Sequence, residues 1–196
     1  LEGQKFSKSR NWSIDLIDFI KDFPDESSID ALRYTLLMNL PETHDSDFTW
    51  RDFQLRNNSE LAAILGNFVN RTIQFVSKNF EMKTSKPSGK YTDFQKEWAR
   101  AIKYLDNNFS NNIENASLPN DFSDTLTQND STLILSLWYG IAKSQYFINK
   151  FRIKDAFFEI MNIARSSNKY FNDEAPWKTI KTNYDYAAKT LYACVQ

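Results

Sequence analysis

Lys5, Ser7, Lys8, Ser9 and Arg10 place three cations and two hydroxyls at the start of the chain, in the stretch KFSKSR. No apolar period precedes them that could fold them into a core. Ammonium and guanidinium groups supply charge and the hydroxyls supply donors, so the stretch reads as an anion clamp, with a tag of no function as the plain alternative. Further on, Asn67, Arg71, Gln74 and Lys78 recur at spacings of four, three and four, which puts them on one helix face. Every member can hydrogen-bond and none is acidic. Arginine beside asparagine offers planar donors and an acceptor, a set suited to reading base edges; an ordinary solvated face has the same spacing. Trp177, directly after Pro176, shares a helical register with Ile180, Tyr184, Ala187, Ala188 and Leu191. It either anchors a core there or sits at the rim, where its ring can stack on an unpaired base.

Other chemistry is thin. The chain has one histidine and one cysteine, so Cys194 can form no internal disulfide and no Cys/His metal cluster is possible. His44 lies in a polar stretch and reads as a surface histidine. There is no Gly-rich phosphate loop and no Ser/His/Asp set at useful spacing. The net charge of −1 argues against non-specific nucleic-acid binding, which comes from many phosphate contacts; a nucleic-acid site here is a local one. No apolar run reaches the ~18 residues that span a bilayer, and no charged-then-apolar leader opens the chain. The expected setting is the cytoplasm, with no membrane partner, and the Asn-x-Ser/Thr triplets at Asn11, Asn70 and Asn115 are then chance.

The elements that must hold these residues are helical. With 196 residues, 41% hydrophobic, only 4 Gly and 5 Pro, the chain can bury a core and leans to helices. Helical periods run over 12–23, ending before Pro24, and from caps at Ser27 and Ser28 to Pro41. ETHDSDFTW suits a loop or one short strand. Leu61, Ile64, Leu65, Phe68, Thr72, Phe75 and Val76 mark the clearest amphipathic helix. Residues 81–90 read as a linker, 94–105 as a helix and 106–130 as a long loop. Helices follow at about 131–149, 153–171 and 176–194, the last starting at Pro176 with Asp173 and Glu174 as acids of its first turn. Five or six amphipathic helices with almost no strand pack as a bundle.

The chain as a whole resembles the C-terminal portion of the methionyl-tRNA synthetase family, within the class I aminoacyl-tRNA synthetases. KFSKS at 5–9 is similar to the K-M-S-K-S signature, with Phe6 in the methionine place. DALRYTLLMNLPETHDSDFTW at 30–50 resembles the segment that follows it. RNNSELAAILGNFVNRT at 56–72 and ARSSNKYFNDEAPWK at 164–178 are similar to the two anticodon-loop stretches.

The resemblance implies a mainly α fold: an antiparallel anticodon-binding helix bundle over residues 57–196, preceded by a small, mostly helical stem-contact subdomain over 1–56. It implies that Lys5, Ser7, Lys8 and Ser9 belong to a loop that closes over the substrate ATP. There Lys8 would stabilise charge developing at the α-phosphate, an electrostatic role in the transition state. It implies that Asn67 and Arg71 contact the first base of the CAU anticodon of methionine tRNA, with Asn70 as a neighbour. Trp177 would stack in the same site and Pro176 would shape its helix start, while Asn168 and Lys169 belong to the second motif. The nucleotide-binding fold with its H-I-G-H motif is not in this sequence. The expectation is therefore a fragment of a methionine–tRNA ligase that lacks its N-terminal catalytic domain, is inactive alone in adenylation and holds no metal. Residues 81–130 exceed what the motifs need and read as an insertion. A stand-alone tRNA-binding or protein-interaction module on the same bundle is the competing reading.

Overall fold

The computed structural model describes residues 1–42, 45–83 and 127–195. Of the expectations above, His44, the helix at 94–105 and most of the presumed insertion lie outside them. Among the described residues the secondary structure is helical, apart from an isolated antiparallel bridge between Ser7 and Trp12. After a 3-10 turn at Lys8–Arg10 come α1 (Leu16–Asp22) and α2 (Glu26–Met38). Asp15 caps α1 by accepting from the backbone N–H groups of Ile17 and Asp18. Asp25, not Ser27 or Ser28, is the N-cap of α2; both serines lie inside the first turn, so that expectation is corrected. ETHDSDFTW forms no strand in its described part, and its end is the start of a helix, Thr49 Oγ1 capping α3 (Trp50–Arg56).

The helical run then continues without a break through a π-helical segment, Asn57–Gly66, into α4 (Asn67–Phe80). The expected boundary between residues 56 and 57 falls inside this rod. Wider π turns shift the register of a helix, so its two halves serve two cores. Leu61 and Ile64 pack on Tyr34, Met38 and Met161. Phe68, Phe75, Val76 and Phe80 pack on Phe171, Ala187, Ala188 and Leu191. Leu65, expected on the apolar face, is exposed, because it falls where the register changes.

Thr127 starts α5 (Gln128–Asn149) with a reciprocal capping box to Asp130, so residues 128–130 are helix rather than loop. A tight turn returns the chain into α6 (Ile153–Glu174), where Gly140 admits Ile163: a Cβ on Gly140 would stand 2.6 Å from that side chain. The expected helix 176–194 is two pieces, α7 (Pro176–Thr179) and α8 (Tyr184–Cys194), because the Asn183 side chain accepts from Tyr186 N–H and opens a new helix. Helix α8 packs against α4, α5, α6 and α7. The result is an antiparallel helix bundle with α1, α2 and α3 at one end, where Phe19, Phe23, Phe48, Trp50 and Phe53 form an aromatic cluster.

Candidate nucleic-acid interface

Helix α6 ends abruptly, and that ending builds the site. Ala175 adopts the left-handed conformation, φ 43° and ψ 60°. A proline at the next position disfavours the right-handed α conformation that would continue the helix, and Pro176 then opens α7 as its first residue. Asp173 and Glu174 therefore close the preceding helix and are not acids of a first turn. Glu174 is buried and bonded, its carboxylate accepting from Tyr186 Oη at 2.5 Å and Asn129 Nδ2 at 2.8 Å. The reversal folds Trp177 back onto α6, with its ring centroid 5.7 Å from that of Phe171.

Arg71 reaches this corner from α4. Its guanidinium carbon lies 4.8 Å from the Phe171 ring centroid and 5.5 Å from that of Trp177. One terminal N–H donates to Asn168 Oδ1 at 3.4 Å. Two rings and an amide thus orient one planar cation, whose remaining donors are available to a ligand. Phe171 is buried at 2% exposure, whereas Trp177 keeps 37%. The tryptophan is a rim residue, resting on a core ring and open to solvent. Asn67 and Asn70 are exposed on α4, Asn67 one helical turn before Arg71, and Asn70 accepts from Gln74 Nε2 at 3.0 Å. Pro176 is fully buried, so it shapes the corner and offers no surface to a ligand.

Arg71, Asn168 and Trp177 are thus in mutual contact, with Asn67 and Asn70 on the same helix as Arg71. Phe171 completes the group. It stands three residues after Asn168, inside the NKYFNDEAPW stretch, and that i, i+3 spacing was the signal that it shares Asn168's face.

The residues of KFSKSR stand elsewhere. Ser7 and Trp12 exchange both backbone N–H···O bonds at 2.9 Å and pinch the segment into a loop with Asn11 left-handed at φ 53°. Arg10 Nε donates to Ser7 Oγ at 3.3 Å and Ser7 Oγ lies 3.2 Å from Ser9 Oγ. Lys5, Lys8 and Ser9 are exposed. Lys8 lines a cleft of about 950 Å³ together with Trp12, Asp15, Asp18 and Trp50. The loop gathers its own cations and hydroxyls on the α1–α3 side, and no contact among the described residues links it to the Arg71 corner.

Two chemistries are excluded among the described residues: no group of His, Cys, Asp or Glu could hold a metal ion, and no helix is long and apolar enough to cross a membrane.

Comparison with known proteins gives the same two regions. Residues 1–73 match the family model described as tRNA synthetases class I (M), and residues 120–195 match that described as the anticodon binding domain of methionyl tRNA ligase. Methionine–tRNA ligases of Bacteroides fragilis and Flavobacterium psychrophilum are 38% and 37% identical over 196 residues, all of this chain and 23% of theirs. The chain thus spans about a quarter of the length of the curated relatives it matches. Two solved structures of Mycobacterium tuberculosis methionyl-tRNA synthetase with methionyl-adenylate superpose with TM-scores of 0.70 and 0.69. They are 20% and 21% identical to the chain, and the matches cover 97% and 98% of it and 30% and 31% of those chains.

Proposed function

The chain belongs to the methionyl-tRNA synthetase family, and from that premise we propose that it is the tRNA-reading part of a methionine–tRNA ligase. In this reading Arg71 and Asn67 contact the first base of the CAU anticodon, Trp177 stacks an unpaired base, Asn70 lies beside them and Pro176 fixes the corner. The observation that carries it is the Arg71 guanidinium held between Phe171 and Trp177 and bonded to Asn168. An arginine so oriented loses little freedom on pairing with a base edge, and the exposed ring beside it accepts a base of any identity.

The KFSKS loop, by the same proposal, serves the intact ligase. Lys5, Ser7, Lys8 and Ser9 act on the substrate ATP together with an N-terminal catalytic domain, Lys8 stabilising charge in the transition state. Residues 1–56 are the stem-contact subdomain, 57–196 the anticodon domain, and the setting is the cytoplasm.

Arg71→Ala should weaken binding of methionine tRNA by about 1–3 kcal/mol. A tRNA whose first anticodon base is no longer cytosine should lose most of that sensitivity, because it no longer offers the arginine its partner. Equal losses for both tRNAs, with a shallower salt dependence, would reduce Arg71 to a phosphate contact.

A further inference from the structure

Helix α6 carries a second feature that leads away from the Arg71 corner. Phe158, Asn162, Arg165 and Lys169 follow at spacings of four, three and four and share one face. Phe158 is 52% exposed and Lys169 is exposed, while Asn162 and Arg165 are half-buried. Arg165 donates to Asn162 Oδ1 at 3.0 Å, and its guanidinium carbon stands 5.8 Å from the Phe158 ring centroid, so a neutral amide and an aromatic face hold this cation. The acids of α6 are elsewhere or engaged. Asp155 pairs with Arg152 at 2.6 Å and Glu159 with Lys143 at 2.5 Å, Glu174 is buried, and Asp173 lies beyond the end of the stripe. At the other end Glu42 accepts from the Lys154 backbone N–H at 2.9 Å, which brings a carboxylate close to that end and keeps Lys154 out of the stripe.

We propose that this stripe is a second, sequence-independent RNA contact, along which the phosphate backbone of the paired stem runs away from the loop read at Arg71 and Trp177. It rests on the reading of that corner as an anticodon site. Lys169 follows Asn168, the residue that receives Arg71, so the stripe begins where the corner ends and continues for about 16 Å of helix. The loop of an RNA hairpin is covalently continuous with its stem, and a stem that leaves the corner along α6 meets two cations and no carboxylate. Phosphate contacts of this kind set orientation and register and carry no base identity.

The test uses the full-length protein, a hairpin with the CAU loop, and the unpaired loop sequence alone, each titrated at two salt concentrations. Arg165→Gln/Lys169→Gln should lower affinity for the hairpin and reduce its salt slope by about 0.7–0.9 for each phosphate that is no longer neutralised, while leaving the unpaired loop unchanged. Trp177→Ala should weaken both RNAs. Lys169→Gln alone, at an exposed position, should give half the slope change and guards against misfolding of the double variant. An unchanged hairpin slope in both variants overturns the proposal, as does an equal loss on the unpaired loop. A stripe effect that persists while Trp177→Ala and the loop sequence make no difference would instead sink the anticodon reading and leave a general RNA contact. Binding of neither RNA by the wild type would end both.

Discussion

Trp177 serves core and surface together: one side rests on Phe171, which is almost wholly buried, and the ring still keeps 37% of its area exposed. A fully buried aromatic truncated to alanine costs about 3–5 kcal/mol. With a third of its surface free, Trp177→Ala should cost roughly 2 kcal/mol in a urea melt and a further ~1–3 kcal/mol of tRNA binding. Trp177→Phe should keep part of both, because a smaller ring still stacks. Leu191, at 0% exposure, is the internal standard. If Trp177→Ala shifts the melt as far as Leu191→Ala and leaves tRNA affinity intact, the tryptophan is core alone. The two roles could not be separated from spacing, because the register that suggested a core anchor runs through a helix that the chain does not make.

Between Thr179 and Tyr184 the element itself decides the outcome. Apolar residues keep their helical spacing from Trp177 to Leu191, yet the backbone leaves the helix and restarts. Asn183 does this by accepting from Tyr186 N–H at 3.0 Å, one of the donors a new helix leaves open at its start. Asn183→Ala should lower global stability by about 1 kcal/mol, since α8 packs on α4, α5, α6 and α7. It should leave tRNA affinity unchanged, because α7 and the Arg71 corner lie on the other side of the turn. A drop in affinity without a drop in stability would show that the α7–α8 turn belongs to the site. The π segment is the other element-level surprise: Leu61 and Ile64 belong to one core and Phe68 onward to another.

At the scale of the molecule, a buried polar cluster joins α5, α6 and α8. Tyr170 donates its hydroxyl to Asp130, while Tyr186 and Asn129 donate to Glu174. Cys194 packs beside Leu133 and Tyr170, where burial first, and then the Asp130 and Glu174 carboxylates, push its thiol from 9.0 up to about 12. The Glu174 hydrogen bond, then burial, pushes Tyr186 up to about 12, and burial and Asp130 raise Tyr170 as well. In the unfolded chain these groups release protons first as pH rises, so the folded state binds more protons there. Stability is therefore complete below the unfolded values and is lost on the alkaline side, by about 1.4 kcal/mol per pH unit for each group involved. Urea unfolding compared at about pH 8 and about pH 11 should show a smaller alkaline loss for Cys194→Ala than for the wild type. Equal losses would mean that the thiol ionises in the fold as it does in the unfolded chain.

Local chemistry was enough to recognise most helices, the mainly α class and the Asn67/Arg71 face, because apolar residues at three- and four-residue spacing have few other ways to bury themselves. The motifs KFSKS, NFVNR and NKYFNDEAPWK pointed to the family, because in each a few neighbouring residues make one local structure. Spacing alone misplaces a cap where two acceptors compete within three positions, as at Asp25 against Ser27 and Ser28. Other outcomes depended on contacts between residues far apart in the chain. Phe171 became part of the site only when α4 crossed α6 and laid Arg71 on its ring. Asp130, expected in a loop, became a buried helix-capping acid only when α5 packed on Tyr170. Trp177 could be read as core or as surface until Ala175 turned left-handed and folded the ring back over α6. Spacing along a chain tells which residues share a face; which face meets another helix, and what reaches it from there, is decided by packing.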